Sequence, residues 1–206
     1  MENPLKAALI LFLSVFASIC FSAETAFSKQ LEQQVISDWI VSYTKGTTKK
    51  QDANFIVKLV YDESEKTKID PLLIIALISK ESTFKKYATS GYGAKGLMQV
   101  VPRWHMDKLK KRDPYNRIVA IEVGSKVLLD CLAKRNYNTH KALTCYSGGA
   151  KNYQSFIQAK HQMLASEIVK ARFANELPIE ERYSYKNPIL KNKGFGNSAG
   201  TQYAGI

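Results

Sequence analysis

A single carboxylic acid, Glu81, stands at the end of an apolar segment. From Leu72 to Ile78 no side chain is polar, and Glu81 follows three residues later. A helix over this stretch is hydrophobic on every side, which is typical of a buried helix, so a carboxyl group at its end would be partly desolvated. Desolvation raises the pKa of a carboxyl group, and an acid in such surroundings can donate a proton near neutral pH. Taken alone, the position fits a surface glutamate better, because charged side chains are mostly exposed.

The segment after Glu81 carries groups suited to binding a sugar. It reads ESTFKKYATSGYGAKGLMQVVP from Glu81 to Pro102. Its three glycines let the backbone turn tightly and approach a ligand closely, and the side chains of Ser90 and Gln99 can donate and accept hydrogen bonds. These neighbours favour a chemical role for Glu81 over an ordinary surface position.

The same segment carries a family signature: Glu-Ser-x-Phe, then Ala-x-Ser-x-x-Gly-Ala-x-Gly-Leu-Met-Gln and a Pro. It resembles the lytic transglycosylases of the lysozyme-like superfamily, in the branch named for the soluble lytic transglycosylase (SLT). A third family block, usually Ala-Tyr-Asn-x-Gly, reads Cys-Tyr-Ser-Gly-Gly over residues 145–149. The resemblance covers about residues 52–165 and implies a mainly α, lysozyme-like fold. The second family block, an Asn and a Gly with a following helix, is matched by Asn116, Ile121, Gly124, Val127 and Leu128.

The resemblance implies a role for each matching residue. Glu81 falls at the single catalytic acid/base, and Tyr146 matches a tyrosine whose hydroxyl lies near that acid. Ser147 stands where the family usually has Asn, which affects one hydrogen bond to the substrate's acetamido group and not the acid/base step. The other residues that the resemblance implies along the sugar groove are Ser90, Met98, Gln99, Val101 and Tyr153.

The implied substrate is the glycan strand of peptidoglycan, cut between N-acetylmuramic acid and N-acetylglucosamine. The implied product carries a 1,6-anhydromuramyl end, and the reaction needs neither a second carboxylate nor a cofactor or metal ion. Two other readings remain open: a hydrolytic lysozyme with the same glutamate, and a non-catalytic wall-binding or assembly module of a secretion or conjugation machine. Ser147 slightly favours the last, and lytic enzymes of this type often serve such machines.

The chain is basic, with 30 Lys and Arg against 18 Asp and Glu and a formal charge of +12. This charge indicates an anionic partner, which could be nucleic acid, a membrane face or an anionic wall polymer. The lysines are spread along the chain without a nucleic-acid recognition motif, so no nucleic acid is expected. The resemblance implies the wall polymer as the anionic partner, and contact with a membrane is expected only through the N-terminal signal segment. An apolar content of 45% excludes a wholly disordered chain.

The N-terminus indicates export. Ala7 to Phe21 form an uncharged apolar stretch of about fifteen residues. This length is typical of the apolar region of a signal peptide and is short for a membrane-spanning helix. Cleavage after Ser22 would leave a protein of the periplasm; the alternatives are an uncleaved anchor and a buried N-terminal helix. In an oxidising compartment Cys131 and Cys145 can form a disulfide, although two buried free thiols fit as well. The three histidines are scattered and no CxxC pair occurs, so no metal site is expected.

Apolar spacing predicts helices over 28–44, 118–134, 139–146 and 152–173. Asp70-Pro71 starts the buried helix before Glu81, and Asp52 or Asn54 could cap the helix before that. No stretch has the alternation of a major sheet, so the fold is expected to be mainly α with an added N-terminal helix. The predicted organisation is a signal peptide (1–22), an N-terminal helix and basic turn (23–51), a lysozyme-like transglycosylase domain (52–173) and a flexible tail (174–206).

Overall fold

The computed structural model describes residues 26–176, and within that range the ordered elements are helical apart from two isolated β-bridges. The mainly α fold class is confirmed. The expected signal segment and the tail after Glu176 lie outside the described residues. The helices are α1 (26–43), α2 (Lys50–Thr67), α3 (Pro71–Glu81), a 3-10 helix (Pro102–Trp104), α4 (Met106–Leu109), α5 (Arg117–Lys134), α6 (Thr139–Tyr146) and α7 (Tyr153–Glu176).

Helix α3 forms the centre of the core. Asp70 caps it as predicted, with its side chain accepting a hydrogen bond from the Leu72 amide at 2.8 Å, and Pro71 occupies the first turn. Residues 74–79 are all buried, and α2 packs against both α3 and α5. The helix therefore delivers Glu81, its last residue, to the edge of the core.

Helix α1 belongs to the same core. Ile36 and Ile40 are fully buried, and Trp39 stacks on Tyr43 with ring centroids 4.8 Å apart. Both rings meet Phe84, three residues beyond Glu81, edge to face. The N-terminal helix thus supports the segment that follows the candidate acid.

The prediction that Asp52 or Asn54 caps α2 is wrong. The helix begins at Lys50, and Lys49 at its N-cap makes no side-chain capping bond. Asp52 lies within the first turn, where its negative charge interacts favourably with the positive end of the helix dipole, and it forms an ion pair with Arg117 at 2.8 Å.

Residues 82–101, which we call the groove loop, cross from α3 to the 3-10 helix and lie directly on α5. At Gly96 the backbone φ is +74°, and a Cβ there would lie 2.2 Å from the carbonyl oxygen of Pro114. At Gly124 in α5 a Cβ would meet Cβ and Sδ of Met98 at 2.5 Å. Two positions without side chains therefore allow the loop to approach the rest of the domain this closely.

A disulfide joins Cys131 of α5 to Cys145 of α6, with their Cα atoms 5.8 Å apart. This is the first of the two alternatives that the sequence left open. The bond fixes the C-terminal end of α6, where Tyr146 is the last residue, to the longer helix α5.

The chain divides into two units, Met1–Ile168 and Val169–Ile206, and the second is described only over the end of α7. Helix α7 runs to Glu176, three residues into the predicted tail. The Asn175 side chain donates to the carbonyl of Ala171 at 2.9 Å, so this residue adds a bond within the helix instead of ending it.

Candidate active site

An open groove of about 500 Å³ passes over the end of α3. A cavity of this size is typical of a ligand site. Four parts of the chain meet there: α3, the groove loop with the 3-10 helix, the end of α6, and the start of α7. The lining residues are Lys80, Glu81, Ser90, Tyr92, Ala94, Gln99, Val101, Trp104, Tyr146, Ser147, Gly148, Ala150 and Tyr153.

Glu81 is half-buried at the floor of this groove. Burial raises the pKa of its carboxyl group, and this effect outweighs two opposing ones: the hydrogen bond from Tyr153 and the positive charge of Lys80. A raised pKa keeps a larger fraction of the group protonated near neutral pH. The desolvation expected from the apolar helix is therefore present.

Tyr153, and not Tyr146, makes the direct contact with Glu81. The hydroxyl of Tyr153 donates to Oε1 of Glu81, whereas the hydroxyl of Tyr146 donates to the main-chain carbonyl of Met98 at 2.8 Å. Burial, followed by the nearby charge of Glu81, raises the pKa of both phenols. Both hydroxyls therefore stay protonated and act as hydrogen-bond donors.

Gln99 holds the groove loop together through its side-chain amide. Its Nε2 donates to the carbonyl oxygens of Ala88 at 3.1 Å and Gly96 at 3.0 Å. Because an amide nitrogen carries two hydrogens, both are used, and Oε1 is the group left for a ligand. The backbone of Gln99 is left-handed, with φ +48°, so the tight turn and these two bonds form one unit.

Ser90 has a similar double function. Its Oγ accepts a hydrogen bond from the amide of Ala94 at 3.1 Å, which closes the loop, and its hydroxyl proton stays available on the groove side. Val101 and Ser147 also line the groove. The Ser147 hydroxyl bonds back to the carbonyl of Thr144 at 3.4 Å.

Met98 does not line the groove, contrary to the expectation from the sequence. Its side chain is fully buried and packs against the space that Gly124 leaves open. An apolar side chain is more stable in such a packed site than on the surface. Met98 contributes to the site through its carbonyl, which accepts the Tyr146 hydroxyl.

Six lining residues were missed by the sequence reasoning, and three of them carry a long charged or aromatic side chain: Lys80, Tyr92 and Trp104. The rings of Tyr92 and Trp104 are largely exposed, at 80% and 63%, and exposed aromatic rings commonly mark binding surfaces. Lys80 precedes the candidate acid directly, and this adjacency was the signal available in the sequence.

Within residues 26–176, no group of three His, Cys, Asp or Glu side chains is placed to hold a metal ion. No helix in the same range is long and apolar enough to cross a membrane.

A family model described as "Transglycosylase SLT domain" matches residues 58–169. Among curated proteins, the membrane-bound lytic murein transglycosylase C of Yersinia enterocolitica serotype O:8 / biotype 1B is 30% identical over 115 residues. That match covers 48% of this chain and 32% of the relative, so the chain spans about a third of the relative's length. The family match includes every residue of the groove lining, and α1 lies before it.

Proposed function

Because the chain belongs to the transglycosylase SLT domain family, we propose that it is a peptidoglycan lytic transglycosylase. It cleaves the β-1,4 bond between N-acetylmuramic acid and N-acetylglucosamine and leaves 1,6-anhydromuramyl ends. The observation that carries the proposal is the setting of Glu81, a carboxyl group with a raised pKa at the floor of the groove.

The reaction starts with Glu81 protonated. The carboxylic acid gives its proton to the glycosidic oxygen, and the bond from that oxygen to the muramyl anomeric carbon breaks through an oxocarbenium-like state. The carboxylate then takes the proton of the muramyl 6-hydroxyl, whose oxygen attacks the same anomeric carbon. Glu81 ends protonated again, and no water is consumed.

Tyr153 stabilises Glu81 in the step in which its side chain is a carboxylate. Its hydroxyl bond to Glu81 favours the carboxylate, which forms when the proton leaves, while burial favours the acid that starts the reaction. Hydrogen bonds to charged groups contribute roughly 1.5–3 kcal/mol each. The two opposing influences keep the pKa of one group suited to both donation and acceptance.

The lining of the groove supports a reaction with one carboxylate. Among the described residues that line it, Glu81 is the single acid. An ordinary glycosidase uses two carboxyl groups flanking the scissile bond. An internal attack by the 6-hydroxyl needs one group that acts first as acid and then as base.

Product mass tests the proposal. Purified peptidoglycan is digested with the wild-type protein and with Glu81→Gln, and the soluble products are examined by mass spectrometry. Glu65→Gln is the matched control, because Glu65 lies on α2 outside the groove lining. We expect wild type and control to release anhydro products, lighter than hydrolytic ones by one water, and Glu81→Gln to release none.

Three results would contradict the proposal. Products with free reducing ends and no anhydro ends would indicate a hydrolytic lysozyme. Equal release by Glu81→Gln would reject Glu81 as the catalyst. Binding to the wall without release of any product by wild type would favour a wall-binding module.

We further propose that the protein is exported to the periplasm, where this substrate lies. The support is the charge-free run from Ala7 to Phe21 and the disulfide between Cys131 and Cys145, since disulfides persist in oxidising compartments. Cell fractionation and N-terminal sequencing test this: a periplasmic protein that starts at Ala23 is expected. Full-length chain confined to the cytosol would contradict it.

A further inference from the structure

Lys80 places an uncompensated positive charge in the groove. It is the one cationic side chain among the described lining residues, it is exposed, and no carboxylate forms an ion pair with it in the part of the chain that the structure covers. When Glu81 is protonated for catalysis, the lining has a net positive charge. An anionic group of a bound ligand would complement this charge.

A second lysine, Lys160 of α7, contacts the same aromatic ring as Lys80. The ammonium nitrogen of Lys80 is 4.8 Å from the ring centre of Phe156, and that of Lys160 is 5.7 Å from the same centre. Lys160 also lies 4.8 Å from the ring centre of Tyr43 and 5.9 Å from that of Trp39. Both ammonium groups therefore contact the ring of Phe156; we call Lys80 and Lys160 the lysine pair.

Contact with the rings fixes the position of the lysine pair without neutralising it. The face of an aromatic ring attracts an ammonium group, typically by about 0.5–1 kcal/mol at exposed sites, but it provides no hydrogen-bond acceptor of full charge. Lys160, like Lys80, forms no ion pair within residues 26–176. The donor hydrogens of both remain directed to solvent or to a ligand.

The chemistry of the substrate identifies the anion. The N-acetylglucosamine units of a glycan strand are neutral, whereas the peptide attached to the lactyl group of N-acetylmuramic acid carries free carboxylates. We propose that the lysine pair binds carboxylates of the peptide stem, so that the protein prefers peptide-bearing strands to bare strands. This inference rests on the proposed function for the identity of the polymer, and charge complementarity of this kind contributes specificity and register.

Helix α1 contributes to the position of Lys160. The family match begins at residue 58, after α1 has ended. Trp39 and Tyr43 of α1 supply two of the three rings that hold Lys160. Both lysines and Phe156 lie within the matched domain, and α1 contributes the two further rings that position Lys160.

Binding measured without turnover tests the proposal separately from the reaction. In the Glu81→Gln protein, dissociation constants are compared for soluble glycan fragments of one length, either with peptides or with the peptides removed by an amidase. Because the amidase leaves a free carboxylate on each lactyl group, these carboxylates are converted to neutral methylamides in the bare fragments. Lys80→Gln and Lys160→Gln are added singly and together. Lys141→Gln, on an exposed lysine of α6 outside the groove lining, is the control for net charge.

We expect the Glu81→Gln protein to bind the peptide-bearing fragments more tightly. Each lysine variant should reduce that preference roughly two- to fivefold, the range for an exposed ion pair, and Lys160→Arg should retain it. Added salt should weaken the same preference, and Lys141→Gln should leave it unchanged.

Three outcomes would overturn the proposal: equal affinity for the two kinds of fragment, a preference that survives loss of both lysines, or an equal loss of affinity for bare and peptide-bearing fragments. The last would assign the lysine pair to the sugar chain. Because none of these measurements needs product, a protein that binds with the expected preference but releases no anhydro ends would reject the proposed reaction and keep this site.

Discussion

The hydroxyl of Tyr153, the first residue of α7, donates a hydrogen bond to Oε1 of Glu81, the last residue of α3, across 72 positions of the chain. One helix delivers the acid from within the core, and another delivers the donor that steadies its charge. The pKa of Glu81 is therefore set by two helix ends: the burial of α3 raises it, and the bond from α7 lowers it.

Tyr153→Phe removes the lowering influence and keeps the ring. The pKa of Glu81 should rise further, so the alkaline limb of the activity profile, where the acid loses its proton, should move to higher pH. The rate at the optimum should fall about tenfold or more, because the carboxylate formed during the reaction loses a bond worth roughly 1.5–3 kcal/mol. Initial rates of anhydro-product release across a pH series provide the measurement. Tyr137→Phe, in an exposed turn, is the control, and an unshifted alkaline limb in Tyr153→Phe would contradict the assignment.

Glu81→Gln should stabilise the fold at neutral pH while abolishing turnover. The folded-state pKa of Glu81 lies above its unfolded value, so its contribution to stability is greatest at low pH and is lost as pH rises through the folded pKa. Above that pKa the buried carboxylate is a cost that glutamine avoids. We expect a gain of roughly 0.5–2 kcal/mol in the free energy of unfolding, measured by urea denaturation, and the gain should vanish below pH 4. A destabilised variant at pH 7 would show that the carboxylate is well compensated.

Loss of the disulfide should destabilise the protein and loosen the groove wall. Cys131 and Cys145 are 14 positions apart, and closing a loop of that size contributes roughly 3 kcal/mol in the chain-entropy model. The double variant Cys131→Ser/Cys145→Ser should unfold at lower urea concentration, and its activity should fall because Tyr146 follows Cys145 directly. In reductant, the wild-type protein should show the same lower stability and activity as the double variant. The double variant itself should not change when reductant is added. Equal stability with and without the bond would contradict this.

Gly124→Ala should destabilise the protein, although replacing glycine by alanine usually stabilises a helix. In an open helix interior this change stabilises by roughly 0.5–1 kcal/mol, but here the new Cβ would lie 2.5 Å from Met98. We expect a loss of roughly 1–3 kcal/mol from overpacking, seen in thermal unfolding. Gly91→Ala is the matched control, since its Cβ would meet nothing within 4 Å. Shortening Met98 to Ala would not relieve the clash, because the Met98 Cβ is itself one of the close atoms.

The fold and the acid could be predicted because their signals are local. The Asp70-Pro71 start, the apolar run and the Glu81 motif lie within consecutive residues, and short-range sterics and burial decide their structure. The burial of Met98 depends on a gap at Gly124 in another helix, which local pattern does not reveal. The contact of Tyr153 and the ring shared by the lysine pair join residues far apart in the sequence, so they follow from packing and could not be assigned from spacing.

The two hydrogen bonds from the Gln99 side-chain amide make this part of the groove wall a hydrogen-bond acceptor rather than a donor. With both amide hydrogens committed to the loop, and with the phenolic protons of Tyr146 and Tyr153 already donated, this part of the wall offers lone pairs to a ligand. A sugar can donate hydrogen bonds to these lone pairs from its hydroxyl and acetamido N–H groups. An inhibitor that places an ether or carbonyl oxygen next to Oε1 of Gln99 would bring two hydrogen-bond acceptors together, and they would repel each other. A good mimic of the substrate at this point must therefore donate a hydrogen bond.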